Sequence, residues 1–238
     1  MSAVDVAKRW LHREIAADPV LHGLVLNLYL NGEKYPHLVE DYFPVAVGAE
    51  WGLAESMRSH LADEDKHVAL YTKAIRKLDQ PVLDLPMDDI FNEVIRTHTP
   101  VSFAMQPQDD SDTRRLKLAH FLAHAHFLEK RIARSLEYHV EACATATSPY
   151  AQRAVSAVLA DETNHVRYTR EAVCDLLPRD LANEVLATHA RAESRANLDF
   201  SARQMSRLLR DHSQRFSLGS RALFRGCAVL LKGWLHYA

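Results

Sequence analysis

The chain of 238 residues is 47% hydrophobic and 25% charged, with 7 glycines and 9 prolines, a balance that argues against a turn-rich β sandwich and against extended disorder. Its formal net charge of −2 and isoelectric point near 6.7 lack the basic excess that marks a nucleic-acid binder. Three widely separated cysteines, Cys143, Cys174 and Cys227, form no CxxC pair, so neither a disulfide framework nor a zinc knuckle is expected, and a reducing cytoplasmic setting fits best.

Asp5, Lys8, Arg9, Arg13 and Glu14 interrupt the N-terminal residues too densely for the apolar centre of a secretory signal. No apolar run reaches the roughly 18 residues needed to cross a bilayer. Residues 4–16 predict a short amphipathic helix that ends before Pro19, because proline disfavours a helical conformation in the residue before it. A second helix starts near Pro19 and runs through Leu21, Leu24, Leu26, Leu28 and Leu30 toward Glu40, interrupted at Gly32 and Pro36. Pro44 and Gly48 mark the connection to a long helix over Glu50 to Leu78, with Leu53, Met57, Leu61, Val68, Leu70 and Ile75 among charged residues. These two helices are expected to form an antiparallel hairpin.

Pro81, Pro86, Pro100 and Pro107 prevent the stretch from Gln80 to Asp112 from being one helix. It has room for a short helix over Asp88 to Thr97 and is long enough to return the chain from one end of a bundle to the other. A long helix over about Ser111 to Ala142, a turn near Thr145 to Ser148, and a helix from Pro149 to about Leu177 form a second hairpin. After Pro178, further helices are expected at about 179–195, 196–214 and 219–236. The expected fold is all-α, a four-helix bundle with one long crossover plus additional N- and C-terminal helices. Residues 1–178 form the bundle with its short N-terminal helix, and residues 179–238 a helical extension packed on it or on an oligomer partner, such as the second copy of a homodimer. The last segment, Ala222 to Ala238, is the most apolar, and docking on the body, on a second subunit or on a membrane surface are all open to it.

The chemistry resides in a repeat. Leu61-Ala62-Asp63-Glu64-Asp65-Lys66-His67-Val68 returns as Leu159-Ala160-Asp161-Glu162-Thr163-Asn164-His165-Val166, both Leu-Ala-Asp-Glu-x-x-His-Val. With 14 glutamates and 14 histidines in the chain, about one Glu-x-x-His arises by chance, but not two in a shared eight-residue frame. Residues three apart share a helix face, so each Glu and His can meet a single centre. Glu33 precedes Glu64 by 31 residues and Glu129 precedes Glu162 by 33, and the midpoints, near residues 48 and 146, fall in the two turns read independently above. In an antiparallel hairpin that spacing sets each pair face to face. Both upstream glutamates are followed by lysine, which supports duplication of a hairpin. Glu40, Glu55 and Glu137 compete for the upstream positions, Glu137 most seriously.

The order Glu, Glu-x-x-His, Glu, Glu-x-x-His over about residues 20–177 resembles the ferritin-like di-iron carboxylate proteins. That resemblance implies six metal ligands, Glu33, Glu64, His67, Glu129, Glu162 and His165, with Glu64 and Glu162 bridging two iron ions; manganese or a mixed pair would suit the same donors. It also implies that Asp63 and Asp161 accept hydrogen bonds from the metal-bound histidine of the opposite motif. His126 shares a face with Glu129 and is either a hydrogen-bonded core histidine or a seventh ligand, while His120 and His124 read as ordinary helix residues. Pro36, three residues after Glu33, kinks or breaks its helix at a cost of about 3 kcal/mol.

The functional expectation is an oxygenase or oxidase that uses dioxygen to oxidise a small or apolar organic substrate, with an external electron donor because no rubredoxin-type cysteine pairs occur. Two other readings are a ferroxidase or peroxidase acting on iron or peroxide without an organic substrate, and a helical interaction protein that does no chemistry.

Overall fold

The computed structural model describes residues 3–40, 42–144 and 148–235. The first helix, α1 (Ala3–Ala17), ends where Asp18 caps its successor. The Asp18 carboxylate accepts hydrogen bonds from the backbone N–H groups of Val20 (2.9 Å) and Leu21 (3.2 Å), and Pro19 takes the first helical position.

The second helix, α2 (Pro19–Leu38), corrects one expectation: it continues through Gly32 and Pro36 without interruption. The proline ring removes the N–H that would bond the Gly32 carbonyl, and the Asn92 side chain donates to that carbonyl instead, at 3.4 Å. A short helix, α3 (Val45–Ala49), lies in the expected connection, and a turn at Gly52 occupies the start of the expected long helix. Gly52 has φ 74°, a conformation suited to glycine. As a result α4 spans Ala54–Lys77 and begins four residues later than Glu50.

The crossover is extended between α4 and a 3₁₀ turn at Met87–Asp89, followed by α5 (Phe91–His98), the short helix expected over Asp88 to Thr97 with a start three residues later. Two buried asparagines one helical turn apart hold it to α2. Asn27 donates to the Pro81 carbonyl (3.0 Å) and accepts from Leu83 N–H (2.7 Å); Asn31 donates to the Leu83 carbonyl (2.8 Å) and accepts from Leu85 N–H (3.0 Å). Four helical residues rise about 6 Å and two extended residues about 6.6 Å, so the two repeats stay in step. At the start of this strap, a Cβ on Gly23 would lie 2.6 Å from Gln80 Cγ, so only glycine allows the approach.

The remaining helices are α6 (Ser111–Cys143), α7 (Pro149–Leu176), α8 (Arg179–His212) and α9 (Leu218–Leu235). Residues 145–147 of the expected second turn, and residues 236–238 of the last segment, lie outside the described residues. The two helices expected over 179–195 and 196–214 are one. The stretch Arg179–His212 contains neither glycine nor proline, and Ala192, Glu193, Ala196 and Ala202 keep one face buried across the expected break.

Every described element is helical, and α2 packs antiparallel on α4 while α6 packs antiparallel on α7. The two hairpins meet along α4 and α7, also antiparallel: His60 faces Tyr168, Asp63 faces His165 and His67 faces Asp161. One apolar cluster, around Met57, Phe121, Leu122 and Val173, lies toward one end of these four helices; another, around Leu26, Leu30, Ile75, Leu136 and Val155, lies toward the other. The duplicated motif sits between them. Outside the hairpins, α8 packs on α5 and α6, α9 on α8, and α1 lies across α6, α2 and α9. No helix among the described residues is long and apolar enough to cross a membrane.

Candidate metal centre

Helical period and hairpin register together bring the six predicted residues to one place between the apolar clusters. Glu33, Glu64, His67 and Glu162 each offer a donor atom within 4.8 Å of the others, and Glu64 and His165 share a second such group with His60. Glu129 joins through His60, with Oε1 3.6 Å from His60 Nε2, and its charge acts on the neighbouring Glu162. All are buried: Glu162 and His67 are 0% exposed, and Glu33, Glu64, Glu129 and His165 no more than 5%.

The two histidines are held alike. His67 Nε2–H donates to Asp161 Oδ2 (3.1 Å) and His165 Nε2–H donates to Asp63 Oδ2 (3.3 Å), each crossing between α4 and α7. With the proton fixed on Nε2, each Nδ1 lone pair faces the carboxylates: His67 Nδ1 is 3.3 Å from Glu33 Oε2 and 3.4 Å from Glu162 Oε1, and His165 Nδ1 is 3.1 Å from Glu162 Oε2. Glu162 therefore stands between both imidazoles. Lys66 Nζ donates to Asp161 (2.5 Å) and to Asp63 (3.2 Å), tying the two outer aspartates together.

Electrostatics show what this crowding costs the protein alone. Burial pushes the Glu33 carboxyl up to about 7, and burial followed by the neighbouring carboxylates raises Glu64 and Glu162 well above the usual range. Glu129 goes the other way, because contact with His60 outweighs the upward push of burial. The Glu162 Oε1 atom and His60 Nε2 are buried without a hydrogen-bond partner. Four carboxylates and inward-facing imidazole lone pairs form a buried oxygen and nitrogen donor set whose charge suits divalent cations.

The competitors separate by exposure. Glu40, Glu55 and Glu137 lie on the surface, Glu137 paired with Arg134 at 2.5 Å. His126 is buried but its Nδ1–H donates to the Val166 carbonyl (2.9 Å), so it braces α6 on α7 and does not face the carboxylates. His120 contacts His189 at 3.1 Å and His124 is fully buried against Phe103, and neither joins the carboxylate group.

The residue absent from the sequence prediction is His60. It lies one turn before Glu64 on the same face, stacks on His165 with ring centroids 3.7 Å apart, approaches Glu64 Oε1 to 3.0 Å, and is held at Nδ1 by the Tyr168 hydroxyl at 2.7 Å. The i, i+4 spacing was readable, but the repeat hid it, because the equivalent position in the second motif is Val158.

Beside the centre, a cavity of about 160 Å³ reaches Glu33. Its wall is largely apolar and comes from several elements, including Leu11 of α1, Phe91 of α5, and Phe200, Met205 and Leu208 of α8. Comparison with protein-family models, with curated proteins and with solved structures gives no match.

Proposed function

We propose that the chain is a ferritin-like di-iron carboxylate protein acting as an oxygenase or oxidase on a small apolar organic molecule. The observation that carries this reading is the cavity at Glu33, walled by α1, α5 and α8. Iron storage or peroxide removal has no use for such a chamber, whereas oxidation of an organic substrate requires one beside the metals.

Glu33, Glu64, His67, Glu129, Glu162 and His165 would hold the two ions, with His60 placed to reach the side shared by Glu64 and His165. Bound there, the iron pair would supply the reduction of dioxygen coupled to oxidation of the substrate, with electrons from an external donor or from the substrate itself. The chain's own contributions are separate from that chemistry. Asp63 and Asp161 fix the Nε2 tautomer of His165 and His67, so that Nδ1 stays a donor to the centre. The leucine, phenylalanine and methionine side chains of the cavity favour an apolar guest, while Asn92, Arg131, Asn197 and Gln204, which also line it, offer polar contacts. The Tyr168 hydroxyl and His60 Nδ1 share a proton at 2.7 Å and can pass one toward the buried carboxylates.

The test is anaerobic ferrous loading, desalting and metal analysis, followed by oxygen uptake with and without a panel of small apolar compounds. About two irons per chain and uptake that a panel member accelerates are expected. Ser201→Trp, which fills the cavity from α8, should keep the iron and lose the acceleration. Iron oxidised and accumulated well beyond two per chain, unaffected by Ser201→Trp, would establish the ferroxidase reading in its place.

A further inference from the structure

A second cluster of donor atoms lies at the junction of α1, α2 and α6. His22 comes from the second turn of α2, and His139 and Cys143 come from one face of α6 at i, i+4. The two Nε2 atoms are 2.9 Å apart, and Cys143 Sγ is 3.9 Å from His22 Nε2. His22 is 1%, His139 0% and Cys143 2% exposed.

The Tyr29 hydroxyl meets His139 Nδ1 at 3.2 Å, which directs His139 Nε2 at its neighbour. A single proton can serve the two facing Nε2 atoms, while Nδ1 of His22 and Nδ1 of His12, whose ring packs 5.5 Å from His139, are buried without a partner whether or not an ion is held at Nε2. The three donor atoms, all within 4.8 Å of one another, are also spaced to surround one ion. At bond lengths of about 2.0 Å to nitrogen and about 2.3 Å to sulfur, trigonal ligands sit about 3.5 to 3.8 Å apart. The sulfur contact already matches, and the nitrogens need to separate by about half an ångström.

We propose that His22, His139 and Cys143 form a second metal site, a buried three-coordinate site for Cu(I). Charge selects the ion. Among the described residues no carboxylate joins this group, so one thiolate neutralises a monovalent cation, whereas a divalent one would leave a positive charge in an apolar setting. Thiolate and imidazole are soft enough to prefer Cu(I), and binding releases the thiol proton to solvent. Tyr29 is a positioning residue that orients His139 by accepting its Nδ1–H. The site is independent of the reading of the carboxylate centre.

The experiment uses the full chain with Cys174→Ser and Cys227→Ser, so that Cys143 is the remaining thiol, prepared free of iron under reducing, anaerobic conditions. Cu(I) is titrated in competition with bicinchoninate, and the coordination is read by copper X-ray absorption. About one Cu(I) per chain, with two nitrogen and one sulfur neighbour, is expected. Cys143→Ser and His22→Gln should abolish retention; Tyr29→Phe, which keeps the packing, should weaken it about 10- to 100-fold; Glu162→Ala should leave it unchanged. Circular dichroism identifies any variant that fails to fold, and Tyr29→Phe then carries the comparison. No Cu(I) retained by the folded parent, or retention indifferent to both Cys143→Ser and Tyr29→Phe, overturns the site. Displacement of Cu(I) by an equivalent of Zn(II) overturns the choice of ion.

Discussion

The two hairpins carry the same eight-residue motif but do not do the same work. In both, an aspartate of one motif holds the histidine of the other, and an upstream glutamate faces the motif glutamate. Around that shared frame the halves diverge. The first has His60 where the second has Val158, and the second has His126 where the first has Leu30. His60 faces the carboxylates, whereas His126 braces the backbone of α7 and Leu30 is plain core. A pair of metal positions built on this frame would be unequal, with the side of Glu64 and His165 richer in nitrogen. The cavity lies against Glu33 of the first hairpin, so the other side of the centre is the one closest to the proposed substrate. The repeated motif supplies a near-symmetric frame, and the positions where the halves differ set a histidine toward the carboxylates on one side only.

The largest effect should come from removing the frame itself. Glu129→Ala should lower bound metal from about two per chain to below about one, while Glu137→Ala, on the surface, should keep the full complement and change stability by no more than about 0.5 kcal/mol. Metal analysis after ferrous loading decides it, and the reverse outcome would reassign the second hairpin. Next comes the asymmetry. His60→Gln should weaken metal binding about tenfold. Val158→Ala should leave metal affinity unchanged and cost about 2 kcal/mol in unfolding, because it only opens space in the core. If both affect metal alike, the halves are equivalent after all.

The outer aspartates test the symmetry from the other side. Asp63→Asn and Asp161→Asn should each reduce metal affinity about 10- to 100-fold by releasing the histidine tautomer; equal losses support the shared frame, and a loss confined to one would show that one histidine is held some other way. Lys66→Met should matter least, within about 1 kcal/mol, since its ion pairs are largely solvated.

A pH series sharpens the contrast between the metal-free and loaded protein. The folded Glu33 carboxyl, pushed up to about 7 from an ordinary 4.5, holds its proton longer than in the unfolded chain. Its contribution to stability is therefore full below about 4.5 and is lost as pH rises through about 7, and Glu64 and Glu162, also raised, act in the same sense. Buried neutral histidines such as His124, lowered to about 3, act in the opposite sense but only below about 6.5. Between pH 6.5 and 8 the melting temperature of metal-free protein should therefore fall as pH rises. Loaded protein should resist that fall, because its ligands bind as carboxylates. Parallel curves for the two forms would mean that the carboxylates do not hold the ions.

The sequence by itself determined the helices of the two hairpins and the six residues that converge between them, because helical period and distance from a turn are local quantities written along the chain. Leu26, Leu30 and Ile75 mark a buried face, and Glu33 and Glu64 pair because each lies equally far from the same turn. It misplaced what depends on partners distant in sequence. Pro36 stays helical because Asn92, from another element, takes over a lost hydrogen bond, and α8 is unbroken because α5 and α6 cover its middle. Glu137, on the same helix as Glu129 but 25 residues before Glu162, competed for the upstream position, and burial separates the two. His60, the cavity at Glu33 and the meeting of His22 with Cys143 were decided by the tertiary structure. Each joins side chains of helices whose mutual approach follows from packing the whole molecule, and no short-range pattern encodes that distance.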